Sequence, residues 1–186
     1  MSEQELRELR EWLDKQVAAG KIIKTNSSGG AQILLVKKLD GSFSHCVDYH
    51  ALNNIIVKNR YPLLPMTELR EKLNTAKIFI KLDRKNGYHL VRMAAENENK
   101  KAFRTRFGFY HWIVMPFGPC NAPATFQSMM DNIFHDLLND VVIVFFNNRF
   151  IYTKNVDEHI PLVQEVLSQL HKASELEDDF LPYQKG

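Results

Sequence analysis

Leu6, Leu9, Leu13 and Val17 recur at intervals of three and four, the spacing of one face of a helix. Ser2 with Glu5 three positions later makes a capping box that opens such a helix, and Gly20 is a natural stop. Residues 24–30 are a polar loop. The period then changes to two: residues 31–38 and 43–48 read as strands joined by a hairpin turn at Asp40-Gly41. Residues 61–65 are extended and proline-rich, and Met66, Leu69, Leu73 and Ala76 mark a short helix. From 78 to 83 the alternation puts Ile78, Ile80 and Leu82 on one face and Phe79, Lys81 and Asp83 on the other. Asn86-Gly87 breaks that strand, and residues 89–93 are expected to resume extended structure. Two more strands, 101–107 and 110–115, are expected to meet across Gly108. After a loop at 116–123, the stripe Phe126, Met130, Ile133, Phe134 and Leu137 predicts a helix with Pro123 in its first turn.

The organising pattern lies at 140–153. Six apolar residues, 141–146, run into Asn147-Asn148, and a second apolar and aromatic run leaves them. This predicts a tight β-hairpin with two amides side by side at its tip, because Asn tolerates the positive φ of such a turn. A last helix is expected from about 157 to 172, with Pro161 near its start; residues 173–186 are acidic and weakly patterned. Hairpins mixed with helices indicate an α+β class, expected as one antiparallel sheet with helices packed on one face.

Composition changes this picture little. At 186 residues and 45% hydrophobic, the chain suits one domain, or one with a subdomain, and can bury a real core. The net charge of +2 is uninformative, but its distribution is not. Arg84, Lys85, Arg92, Lys100, Lys101, Arg104 and Arg106 are opposed only by Glu96 and Glu98. Such a block beside aromatic residues is either a surface for a polyanion or a solvated strand face. Cys46 and Cys120 have no metal or redox spacing and read as buried small hydrophobes. The charged, amphipathic N-terminus is not a signal peptide, and no apolar run approaches the ~18 residues of a membrane span, so the expectation is an intracellular protein with no membrane partner.

Four motifs then fall in order. Residues 35–42 and Cys46-Val47-Asp48-Tyr49 resemble the fingers hairpin of reverse transcriptases from gypsy-like LTR retrotransposons, and Arg60-Tyr61-Pro62-Leu63 is similar to their linker into the palm. The run 82–90, Leu-Asp-Arg-Lys-Asn-Gly-Tyr-His-Leu, resembles their first catalytic aspartate motif, and 114–127 looks like the loop and helix that follow. The resemblance implies a right-hand polymerase fold, with fingers and palm over residues 1–172 and an acidic, truncated tail at 173–186. It also implies roles. Asp83 would be the first metal-binding carboxylate. Tyr88 would be either a steric gate under the nucleotide sugar or a palm packing residue. Lys37 or Lys38 would reach the triphosphate, and Phe117 and Gly118 would shape the nucleotide pocket with Ser44. The basic residues from Arg84 to Arg106 would face an RNA or DNA template-primer.

The sequence departs from this family where its chemistry is concentrated. The hairpin tip normally reads Tyr-X-Asp-Asp; here it reads Phe145-Phe146-Asn147-Asn148. Nucleotidyl transfer uses two divalent cations about 3.5–4 Å apart, and carboxylates supply them with charge as well as lone pairs. Asn keeps the shape and loses the charge, so only Asp83 survives of three carboxylates, and Arg149 is expected to add a positive charge beside the tip. A unit charge pair at ~4 Å and an effective dielectric of ~20 is worth ~4 kcal/mol, so Mg²⁺ binding and two-metal catalysis are expected to be lost. Ser44 stands where the family usually carries an Arg near the incoming nucleotide, and His50 where an Arg often follows Val-Asp-Tyr. Three functions stay open: a noncatalytic descendant that retains nucleic-acid binding, a protein-interaction scaffold using the side that a thumb would cover, and an active polymerase.

Overall fold

The computed structural model describes residues 1–27, 29–62, 64–83, 87–138, 140–145 and 148–175. Arg84, Lys85, Asn147 and the tail segment 176–186, all singled out above, lie outside the described residues. In chain order the elements are α1 (Glu3–Ala18), β1 (Ile22–Lys24), β2 (Ala31–Lys37), β3 (Phe43–Asp48), α2 (His50–Ile55) and α3 (Met66–Asn74). They continue with β4 (Ile78–Asp83), α4 (Ala95–Glu98), β5 (Ala102–Thr105), β6 (Gly108–Trp112), α5 (Ala122–Ile133), β7 (Val142–Phe145), β8 (Asn148–Thr153) and α6 (Val156–Glu175). Short 3-10 turns occupy Gly87–Leu90 and Asn99–Lys101.

The chain divides into two compact units, residues 1–58 with 91–122 and residues 59–90 with 123–175. In the first, five strands lie in the order β1-β6-β5-β2-β3. All neighbours are antiparallel except β2 and β5, which run parallel through Ala31↔Phe103 and Gln32↔Arg104. Helix α1 opens on the expected capping box, the Ser2 hydroxyl accepting from the Glu5 N–H while the Glu5 carboxylate accepts from Ser2 N–H at 2.7 Å. Its Leu9 and Leu13 are buried with Ile22, Ile33, Phe103 and Trp112, which is why the heptad-like leucines appear where they do. Trp12 stacks on His45 with ring centroids 4.7 Å apart. Gly41 turns the β2–β3 hairpin at φ 84°, in the region where only glycine is unstrained.

The second unit holds the order β4-β8-β7, antiparallel throughout. The clean alternation of β4 is realised, with Ile78, Ile80 and Leu82 half-buried and Phe79, Lys81 and Asp83 exposed. Leu69 of α3 clusters with Ile143 and Tyr152, while Phe126 and Met130 of α5 and Phe134 just after it are fully buried. Helix α6 packs on β8.

Several expectations need correction. The strands form two sheets rather than one, and one pair is parallel; alternation fixes which face a side chain takes, not which strand it meets. Of residues 89–93, expected to be extended, His89 and Leu90 instead belong to the 3-10 turn Gly87–Leu90, while Arg92 bridges Val114 as an antiparallel partner; that turn buries Tyr88 edge-on against Phe126 at 5.1 Å. Both cysteines are exposed. Cys46 alternates with Val47 and falls on the outward face of β3, and Cys120 belongs to a surface loop held through its backbone. Strand β1 and helix α2 lie where no element was expected, and α6 continues beyond 172 to Glu175.

Candidate functional site

In the second unit the site begins with strand register. Phe145 pairs with Asn148 across the β7–β8 hairpin, so Asn148 is the first residue of β8 rather than part of a two-Asn tip. On its other side Asn148 pairs with Asp83, the last residue of β4. Directly opposed residues of antiparallel strands share a face with Cβ atoms about 4.5–5.5 Å apart. One carboxylate therefore stands next to one neutral amide at the end of the sheet, with the Phe145 ring beyond it. Asp83 is exposed and Asn148 half-buried. Among the described residues, no three His, Cys, Asp or Glu side chains converge in a metal-holding group.

Arg149 does not add its charge to that face. As the register partner of Leu82 and Val144 it points to the opposite side of the sheet, where it is 1% exposed. Its Nη2 donates to Met130 Sδ at 3.2 Å, and the guanidinium lies 5.7 Å from the centre of the Phe126 ring. Phe126 thus carries Arg149 on one contact and Tyr88 on another, a cation–π and an edge-to-face pairing that pack the turn after β4 and the start of β8 onto α5. Burial pushes the Tyr88 phenol up. Tyr88 is thus buried against Phe126 within the second unit.

The first unit holds the other singled-out side chains. Lys37 ends β2 and Lys38 follows it, both exposed; Ser44 is half-buried on β3, opposite Val36. Phe117 is 49% exposed on the loop between β6 and α5. Beside it, Gly118 takes φ 110°, and a Cβ there would meet Tyr49 Cδ2 at 3.1 Å, so this position needs glycine for conformation and for space. The residue that secures this loop was not singled out from the sequence. Asn53 of α2 donates from Nδ2 to the Gly118 carbonyl and accepts the Cys120 N–H at Oδ1, each at 2.9 Å. Asn121 Nδ2 donates to the Val57 carbonyl at 2.8 Å. The only sequence signal is the Tyr49-x-x-x-Asn53 spacing, which one helical turn brings to one side.

The basic residues separate into two kinds. Arg92, Lys100, Arg104 and Arg106 are exposed. Arg104 on β5 sits opposite the exposed Phe109 of β6 and Gln32 of β2, so a cation and an aromatic ring lie together on the outward face of the sheet. Lys101 is different: it is half-buried, its Nζ contacts Met93 Sδ at 3.3 Å, and burial brings its pKa down to about 8. Tyr49, below the same region, donates its hydroxyl to the Lys101 carbonyl at 3.0 Å.

This arrangement matches known proteins over most of its length. Residues 36–177 match the family described as reverse transcriptase (RNA-dependent DNA polymerase). The chain is 34% identical over 172 residues to the retrovirus-related Pol polyprotein from transposon 297 of Drosophila melanogaster, covering 90% of this chain and 16% of that protein. It is 31% identical over 169 residues to the transposon Tf2-7 polyprotein of Schizosaccharomyces pombe, covering 91% of this chain and 13% of the polyprotein. The chain therefore spans under a fifth of the length of these relatives. In fold it is similar to the foamy viral protease-reverse transcriptase solved in complex with an RNA/DNA hybrid, with TM-score 0.83 and 20% identity over 93% of this chain and 23% of that one. The same viral protein solved with double-stranded DNA gives TM-score 0.77 and 21% identity over 93% and 30% of the respective chains. These strands and helices are the fingers and palm of a right-hand polymerase, and the chain belongs to the reverse transcriptase family.

Proposed function

We propose that this chain is a noncatalytic reverse transcriptase domain that retains the ability to hold nucleic acid. The observation that carries the reading is the pairing of Asp83 with Asn148 at the end of β4. A divalent cation of the magnesium type needs hard oxygen donors, and a pair of them needs several negative charges to offset their mutual repulsion. A single carboxylate beside an amide supplies the shape of such a site without its charge. The residues present do not fit two divalent cations, and no step of nucleotidyl transfer is assigned to them.

Support for nucleic-acid binding comes from the outward pairing of Arg104 with Phe109 and from exposed Arg92, Lys100 and Arg106. Phosphates meet the cations and bases stack on the ring in such surfaces. That a structurally similar viral protein has been solved with an RNA/DNA hybrid favours a template-primer as the ligand. A second reading, a scaffold for a protein partner, is favoured by Phe79, 61% exposed on the edge strand β4.

Primer extension in Mg²⁺ and in Mn²⁺ tests the proposal, together with template-primer affinity at two salt concentrations. No extension product and an affinity that falls with salt are expected. Product that disappears in the Asp83→Ala variant overturns the noncatalytic reading. An absence of binding at low salt removes nucleic acid as the ligand and leaves the scaffold.

A further inference from the structure

Within the first unit, helix α1 meets the edge strand β3 through a pair of stacked rings. His45 lies on β3 opposite Leu35 of β2, half-buried, with its side chain on the other face from Ser44 and Cys46. Its imidazole is almost parallel to the Trp12 indole, with 6° between the planes and 4.7 Å between the centres. Trp12 in turn meets Trp112 edge-on at 6.0 Å and tilts against Phe103 at 6.3 Å, so the stack is continuous with the aromatic core. The imidazole also hydrogen-bonds the backbone of Glu8, one helical turn before Trp12. One side chain of an edge strand therefore holds α1 twice, by the face of its ring and by a ring nitrogen.

That grip suits the neutral ring and not the charged one. Nε2 is buried and has no hydrogen-bond partner among the described residues. In a neutral imidazole one nitrogen donates and the other is a bare lone pair, so a single bond to the Glu8 backbone satisfies the only donor. Protonation would add a second N–H, pointed where nothing accepts it. An indole face attracts an imidazolium, but burial outweighs every opposing influence and pulls the His45 pKa below the ordinary 6.5. The Glu8 carboxylate and the Glu8 backbone push the other way, and Lys38, just after β2, adds to the fall. Glu8 and Lys38 are the charged groups that act on this ring; Trp12 and Leu35, packed beside it, carry no charge.

We propose that the Trp12–His45 stack is a proton-operated latch: a neutral imidazole holds α1 against β3, and protonation of His45 releases the helix. A proton shifts such a balance only by binding the two states differently. With α1 released, the solvated ring titrates near its ordinary value; in the stack it titrates lower. Between those two values the released state binds more protons. The contribution of the stack is therefore complete above pH 6.5 and is lost as pH falls toward the lower value of the closed state. Neither Asp83 nor Asn148 enters the device, so it stands or falls independently of the function proposed above.

The test uses the full chain, isotope-labelled, from about pH 8 down to about pH 5. NMR follows the His45 ring, and amide hydrogen exchange follows protection of α1, with α6 of the other unit as the reference. The His45 midpoint is expected below 6.5. Protection of α1 is expected to fall from 6.5 downward and to level off below that midpoint, while α6 keeps its own. One proton allows a fall of at most about tenfold per pH unit. His45→Gln should abolish the fall. Glu8→Gln should move the midpoint down and Lys38→Met should move it up, so these two exposed substitutions carry the test if His45→Gln does not fold. A midpoint at or above 6.5, a titration that leaves α1 protected, or a steeper fall overturns the proposal. So does loss of protection in α6 together with α1, which would be acid unfolding of the whole chain, or a fall that survives His45→Gln.

Discussion

Asn53 and Asn148 are two amides at comparable places, one in each unit, with opposite consequences. Asn53 must both donate and accept, because its partners are a backbone carbonyl and a backbone N–H. A carboxylate of the same shape has no N–H to give and would strand the Gly118 carbonyl. Asn148 occupies the reverse situation. Its register places it beside Asp83 at the end of β4, and on the reading proposed above the charge that the amide lacks is what the site lacks. One functional group is right in a loop that binds backbone and wrong in a hairpin that would bind cations. Fold geometry is blind to the difference, and that is why the fold is retained while the chemistry is predicted to be lost.

The two amides differ only in chemistry if the hairpin is held as firmly as the loop. Phe126 is its support, touching Arg149 and Tyr88 at once. Phe126→Ala is therefore expected to destabilise the chain by about 3–5 kcal/mol in urea or guanidinium unfolding. A loss below about 1 kcal/mol would mean that the second unit is loose and that geometry, not charge, limits the site. Next in size is restoration. The double variant Asn147→Asp, Asn148→Asp is expected to raise Mn²⁺ affinity at least about a hundredfold by calorimetry, and adding Asp83→Asn to it should remove most of that gain. Unchanged affinity would show that more than two charges has been lost. The mirror experiment is Asn53→Asp, expected to cost about 1–2 kcal/mol of stability through the stranded Gly118 carbonyl, with Asn53→Gln no better because the longer side chain overshoots both partners. A smaller effect separates Lys101 from the other cations. Its folded pKa, about 8, lies below the ordinary 10.5. Between those values the unfolded chain binds more protons than the folded one, so stability should rise as pH goes from about 8 to 10.5. That rise should be missing in Lys101→Met; a rise of equal size in the variant would locate the titration elsewhere.

Much of the architecture was legible because it is local. The Ser2–Glu5 box, the leucine stripe of α1, the Asp40-Gly41 turn and the alternation of β4 each depend on neighbours within a few residues. What escaped depends on partners far away in the chain. Strand β1 is three residues long and exists because Ile22 meets Trp112. Helix α2 is six residues long and its N-cap Tyr49 makes no side-chain cap; its local signal is Asp48, whose carboxylate accepts the His50 N–H at 3.0 Å. Asn53 gains its importance only from Gly118 and Cys120, 65 and 67 residues away. At the candidate site the residue types were readable but not their directions. The strand assignment moved Asn148 out of the turn by one position, and strand parity then sent Arg149 into the core rather than toward Asp83.

The register Asp83↔Asn148 also bears on history. Codons for asparagine and aspartate differ by one purine at their first base. If the chain once carried acids at 147 and 148, two single-nucleotide transitions would account for their loss, and two reversions would bring them back with no backbone to rebuild. A lesion of that kind is shallow in genetic distance even where it is deep in chemistry, and the buried packing around Phe126 is what keeps the return path short.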